Sequence, residues 1–172
     1  MKRGEKILNI SIAILAVGFI CYIGLTNWNG KAATVQASQI QLPELRTNEA
    51  VTVDFAEKPT VISLFTSWCT YCNEDAPKMA ALHEKYKDRI NLIGINITNR
   101  DDLSEVRAYA ERHALAYPIL LDLKGDVYAR YGGDGFPALY FVNTEGKVTD
   151  SIIGSTDLET LDSSFRKLLK NG

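Results

Sequence analysis

The apolar run Val61-Ile62-Ser63-Leu64-Phe65, which follows a break at Lys58-Pro59 and leads into Cys69-Thr70-Tyr71-Cys72, constrains this chain more than any other stretch. An uninterrupted apolar segment of that length fits a strand buried on both faces, which needs a layer above and a layer below. From residue 72 to 86 the spacing is helical, with Met79, Leu82 and Tyr86 on one face and a kink expected at Pro77. A buried strand running into a helix sets Cys69 at or just before the helix N-terminus, where unpaired N–H groups point at its sulfur and stabilise a thiolate. Spacing of about one helical turn lets Cys72 reach Cys69, so a reversible disulfide is geometrically easy.

The rest of the chain supplies the layers. Two alternating stretches, 40–46 and 51–55, flank Thr47-Asn48-Glu49 as a hairpin. Residues 90–97 read as a second apolar strand. Asp101 and Asp102 cap a helix to about His113, with Leu103, Val106, Tyr109 and Ala110 inward. Residues 119–121 are a short strand and 124–131 a brief helical or turn segment. Residues 138–142 and 148–153 form a second hairpin around Asn143-Thr144-Glu145-Gly146-Lys147. Asp157 opens a last helix with Leu158, Leu161, Phe165, Leu168 and Leu169 inward. This order predicts an α/β fold: a mixed central sheet with helices on both faces.

Ahead of this body, residues 7–25 carry no charge, and Lys2, Arg3 and Lys6 precede them. As a helix the run is about 28 Å long, close to the hydrocarbon thickness of a bilayer, and the positive cluster should stay in the cytoplasm. Trp28 suits the interface. A cleaved signal peptide has an apolar stretch of only roughly 7–15 residues with a small-residue site just behind it. Here the nearest such site, Val35-Gln36-Ala37, ends twelve residues past Leu25. The expectation is therefore an uncleaved anchor: residues 1–28 as basic end and transmembrane helix, 29–39 as a polar linker, and 40–172 as the folded domain on the extracytoplasmic side. Cys21 follows Ile20 where a lipoprotein needs a small residue, so it is read as a lipid-facing or packing thiol.

Charge narrows the partners. The whole chain is −2, but the first 31 residues hold Lys2, Arg3, Lys6 and Lys31 against Glu5, which leaves the body 15 basic and 20 acidic residues. A net acidic body repels phosphate backbones, so no nucleic-acid partner is expected. A structural disulfide between Cys69 and Cys72 would close a loop of a few residues and stabilise little. Zinc needs four ligands, and His83 and His113 lack ligand spacing, so no metal site and no cofactor are expected. Gly132-Gly133-Asp134-Gly135 leads into a strand and is no phosphate cradle. Asn96-Ile97-Thr98 fits the glycosylation pattern but begins at a strand end. Asp122 and Asp126 around Gly125 are too few ligands for calcium.

The segment 65–72 (Phe-Thr-Ser-Trp-Cys-Thr-Tyr-Cys), Pro77 in the following helix, and Gly135-Phe136-Pro137-Ala138 before a late strand together resemble the thioredoxin-like superfamily. With the expected anchor and the extra helix and strand between residues 101 and 121, the chain is similar to membrane-anchored ResA/TlpA-like thiol-disulfide oxidoreductases. The resemblance implies that Cys69 is the exposed attacking cysteine and Cys72 the resolving one. It also implies that Pro137 is a cis-proline against the pair, with the backbone of Phe136 pairing with an extended substrate. Trp68 is expected either to cover the pair on one side or to pack as an ordinary aromatic at the strand end. Asp75 matches an acidic residue near such active sites; it is equally readable as a first-turn carboxylate favoured by the helix dipole.

Two departures from the pattern matter. Ser63 stands where thioredoxins carry a buried Asp, which would move proton transfer to Asp75, Glu74 or water. Phe136 is bulkier than the residue usual before the cis-proline. The resemblance implies reduction of disulfides in exported proteins, such as apocytochrome c, with a transmembrane electron donor restoring the dithiol. Two other readings are a thiol peroxidase, because Thr66-x-x-Cys69 is part of the peroxiredoxin pattern although Ile62 replaces its proline, and a copper or zinc metallochaperone that uses Cys69 and Cys72.

Overall fold

A computed structural model describes residues 39–171, which begin with an antiparallel hairpin, Gln41–Pro43 (β1) and Ala50–Thr52 (β2). The expected anchor, Cys21, Trp28 and nearly all of the linker lie outside the described residues, and among those described no helix is long and apolar enough to cross a membrane. The chain continues through Thr60–Phe65 (β3), Thr70–Tyr86 (α1), Asn91–Asn96 (β4), a 3-10 turn at Thr98–Arg100, Leu103–Arg112 (α2) and Ile119–Leu121 (β5). Asp126–Arg130 (α3), Ala138–Val142 (β6), Val148–Ile153 (β7) and Leu158–Asn171 (α4) complete it.

Five strands form one mixed sheet in the order β5-β4-β3-β6-β7. β3 runs parallel to β4 and antiparallel to β6, so this fully buried apolar strand is central, as its composition demands. Alternation along the strands divides the core by sheet face. Val61, Phe65, Leu92, Ile119, Leu139 and Phe141 meet Met79, Leu82 and Tyr86 of α1, Val106 and Tyr109 of α2, and Leu161 and Phe165 of α4. Ile62, Leu64, Ile93, Ile95, Leu120 and Tyr140 face the other way, against Val127 and Tyr128 of α3 and Val53 and Phe55 after β2. Helices thus cover both faces. Leu45 N–H donates to the Ile119 carbonyl at 2.8 Å, so the segment after β1 lies along the β5 edge that would otherwise be unpaired.

Three details differ from the sequence-based expectation. Leu103 and Leu158 are 39% and 47% exposed. Each is the first residue of its helix, and burial starts one turn later at Val106 and Leu161. Asp102 alone caps α2, accepting from the N–H groups of Ser104 and Glu105, while Asp101 turns back toward the loop after β3.

Candidate active site

β3 ends at Phe65, and the chain crosses Thr66–Trp68 to reach Cys69, which is the N-cap of α1. The Cys69 sulfur accepts from the backbone N–H of Cys72 at 3.2 Å, the bond that a side-chain acceptor makes to the first turn of a helix. This arrangement sets both thiols, unbonded to each other here, side by side at the positive end of a 17-residue helix. Asn73 fastens the turn: its side-chain amide donates to the carbonyls of Ser67 at 2.9 Å and Cys69 at 2.8 Å. Its oxygen meets His113 Nε2 at 3.0 Å. Tyr109 on α2 donates its hydroxyl to the Cys72 carbonyl at 2.9 Å.

Cys69 is less open than the resemblance implied for it. Cys69 is 7% exposed and Cys72 2%, because Cys69 joins the buried cluster of Phe65, Cys72 and Leu139 and Phe136 packs against that cluster. Of the two, Cys69 lies nearer the surface and Cys72 deeper. Burial pushes the Cys72 thiol far above its ordinary range, and its hydrogen bond with Cys69 adds to this, so Cys72 holds its proton near neutrality.

Trp68 is not packed into the interior at the strand end: it is 62% exposed. Its indole N–H donates to the Arg100 carbonyl at 2.8 Å, and its ring meets Phe136 edge-on at 6.1 Å. Phe136 in turn stacks on Tyr128 at 4.7 Å. The Phe136–Pro137 peptide is cis, as the resemblance implied. The Pro137 carbonyl accepts from Gly154 N–H at 2.8 Å, which ties this loop to the end of β7.

Asp75 is not a first-turn carboxylate. It lies in the second turn of α1, is 3% exposed, and accepts from Lys78 Nζ at 2.7 Å and from the Ser155 hydroxyl. Cys72, Asp75, Ser63 and Pro137 line a cavity of about 10 Å³, together with Tyr109 and Tyr117. Of the proton carriers considered from sequence, Asp75 shares this cavity with Cys72, whereas Glu74 is exposed on the helix surface.

Several residues around the pair were not singled out from sequence. Lys78 was findable, because residues three apart on a helix meet. Asn73 was also accessible in principle, since Asn near a helix start bonds nearby backbone. Tyr109 and Asp101 act across 37 and 34 residues, and no local signal carries such a contact. The glycosylation pattern is inert: Asn96 is fully buried and donates to Asp101 at 2.7 Å. Asp122 accepts from Tyr128 N–H at 3.0 Å as a turn residue. The glycines at 132, 133 and 135 all have positive φ, which is a backbone need rather than a ligand cradle. Among the described residues no group of three or more His, Cys, Asp or Glu side chains converges on one point.

Comparison with known proteins agrees with this geometry. A family model described as AhpC/TSA family matches residues 33–151, more than two thirds of the chain. The thioredoxin-like protein YneN of Bacillus subtilis is 27% identical over 157 residues, covering 85% of this chain and 92% of its own. The thiol-disulfide oxidoreductase ResA of Bacillus thuringiensis subsp. konkukian is 24% identical over 173 residues, covering 98% and 99%. The crystal structure of StoA from Bacillus subtilis superposes with a TM-score of 0.65 at 22% identity, covering 74% of this chain and 96% of StoA, and so shares the fold. With its cysteine pair at the head of α1 and a thioredoxin-like sheet behind it, the chain belongs to the AhpC/TSA family and is of the thiol-disulfide oxidoreductase kind.

Proposed function

We propose that this oxidoreductase reduces disulfides of exported proteins outside the cytoplasmic membrane, held there by residues 7–25. The observation that carries the reading is the graded pair: Cys69 caps α1 and lies nearer the surface, while Cys72 is deeper and keeps its proton.

Cys69, its sulfur accepting the N–H of Cys72, attacks one sulfur of the substrate disulfide as a thiolate. A Cys69–substrate bond forms, the substrate S–S bond breaks, and one substrate thiolate leaves. Cys72 then loses its proton to Asp75 across their shared cavity and attacks the Cys69 sulfur. The Cys69–Cys72 bond forms and the second substrate thiolate leaves. The substrate has gained two electrons, and a transmembrane dithiol donor must return them to the pair. Phe136 packs against the cluster that holds Cys69, Trp68 meets Phe136 edge-on and Pro137 lines the cavity with Cys72; these three are assigned to hold the substrate segment. The ResA-like resemblance supports apocytochrome c as one such substrate.

The test is turnover of a protein disulfide by the full chain. Wild type is expected to reduce it with a dithiol donor, and Cys69→Ser to lose the activity by a factor of at least about 10³. Undiminished turnover in Cys69→Ser would overturn the assignment. Rapid peroxide consumption without disulfide reduction would favour a thiol peroxidase, and tight stoichiometric copper or zinc binding without exchange a metallochaperone.

A further inference from the structure

Closing the Cys69–Cys72 bond requires Cys72 to shed its proton, and burial opposes that step. The surroundings of Asp75 are built unevenly in a way that bears on it. One oxygen, Oδ1, accepts both from Lys78 Nζ at 2.7 Å and from the Ser155 hydroxyl. Lys78 Nζ also donates to the Thr156 carbonyl at 2.6 Å, so the ammonium is fixed from the loop between β7 and α4 as well as from α1. The other oxygen, Oδ2, is buried and has no hydrogen-bond partner among the described residues. The carboxylate is thus saturated on one side and vacant on the other, and it lines the cavity that also holds Cys72. At about 10 Å³ this cavity is at the lower bound for one water, and both groups line it.

We propose that Lys78, assisted by Ser155, is a positioning residue for the resolving step: it holds Oδ1 and supplies the counter-charge, leaving Oδ2 to take the Cys72 proton. The proposal rests on the exchange chemistry proposed above and deepens it. Cys72 S–H breaks, its proton passes to Asp75, and the electron pair left on sulfur forms the Cys69–Cys72 bond as the substrate thiolate departs. The proton returns to solvent before the next cycle. The ionisable groups around Asp75 are Lys78 and Cys72 on α1, Tyr109 on α2 and Tyr117 before β5; the loop before α4 contributes uncharged Ser155 and Thr156. Burial keeps both tyrosine hydroxyls protonated through the neutral range. Lys78 is therefore the one cation among these groups. Without it the buried carboxylate loses its ion-pair partner, and Oδ1 is held by the Ser155 hydroxyl alone.

The experiment separates the two chemical steps. Full-length chain in detergent micelles, in a Cys21→Ser background so that only the pair reacts, is mixed with 5,5′-dithiobis(2-nitrobenzoate) in a stopped-flow instrument. The first release of chromophore reports attack by Cys69, and the second reports closure by Cys72. Lys78→Met is expected to slow the second release about tenfold or more at pH 7 while leaving the first within about twofold, with the slow phase recovering as pH rises. Lys78→Arg should restore most of the second rate. In an Asp75→Asn background, Lys78→Met should add little further slowing, because the lysine acts through Asp75. An unchanged second phase in Lys78→Met, even with a lower melting temperature, would reduce Lys78 to a structural tie and overturn the proposal. A single release from the wild-type pair would instead remove the exchange reading itself.

Discussion

The Asp101 carboxylate accepts the backbone N–H of Ser67 at 2.6 Å and the Ser67 hydroxyl at 2.5 Å, binding the turn that carries the cysteines to the segment after β4. The same carboxylate accepts from Asn96 Nδ2 and from the N–H of Asp102. Arg100, one residue earlier, receives the Trp68 indole N–H. The segment between β4 and α2 is therefore a clamp on the active-site turn. Asp101→Ala leaves the Ser67 N–H and hydroxyl without this acceptor and Asn96 with only its longer bond to the Phe65 carbonyl, at a cost of about 1–3 kcal/mol. It should lower the urea midpoint and, by loosening Cys69, lower kcat/KM for a protein disulfide by roughly tenfold. Paired urea melts and steady-state kinetics check both effects.

Gly94 sits beneath the site for want of space. It pairs with Ser63 across β3 and β4, and a Cβ there would come within 3.2 Å of the Tyr117 ring and 3.3 Å of the Phe65 ring. Gly94→Val forces both rings to move and should destabilise the fold by about 1–3 kcal/mol. Thermal denaturation gives the comparison. A variant as stable as wild type would mean that the wall of Phe65 and Tyr117 is softer than these contacts imply.

Stability should fall at alkaline pH. Burial raises the Cys72 thiol above its ordinary 9.0, and also raises the hydroxyls of Tyr109, Tyr117 and Tyr131, the last to about 12 against an ordinary 10.0. A group whose folded pKa is raised binds its proton more tightly when folded, so its contribution is complete below the unfolded value and is lost as pH rises past it. The window thus opens near pH 9 for Cys72 and near pH 10 for the tyrosines. Melts of the reduced chain from pH 7 to 11 should decline through this range. Cys72→Ala should show a shallower decline near pH 9.

Trp68 separates binding from folding. Its side chain is largely exposed and touches Phe136 and the Arg100 carbonyl. Trp68→Ala should change stability by less than about 1 kcal/mol. If the ring contacts substrate, KM for a protein disulfide should rise by roughly tenfold while reduction of a small disulfide is little affected. Equal losses on both substrates would assign Trp68 to the clamp instead.

Much of this molecule was legible in the chain because its signals are local. The buried β3 run, the helical spacing of Met79, Leu82 and Tyr86, and both hairpins follow from period and turn residues, and the structure keeps them within a few residues. The position of Cys69 as N-cap follows from the strand-to-helix junction alone. The cis bond at Pro137 came only from the resemblance, since nothing in an isolated X–Pro pair specifies its isomer. What was not legible is tertiary. The depth of Asp75 depends on Ser155, 80 residues later, and the dual role of the aspartate pair at 101 and 102 depends on which of them faces Ser67. Exposure of Leu103 and Leu158 likewise depends on where each helix meets the sheet.

The division of labour between the two sulfurs is tested most directly by trapping. Full-length Cys72→Ser, incubated with a disulfide-bearing protein, is expected to accumulate a covalent adduct that a thiol reductant releases, with peptide mass spectrometry locating the bond at Cys69. Cys69→Ser under the same conditions should yield none. An adduct through Cys72 in the Cys69→Ser chain, or no adduct at Cys69 in the Cys72→Ser chain, would contradict the assignment of attack to Cys69 and closure to Cys72.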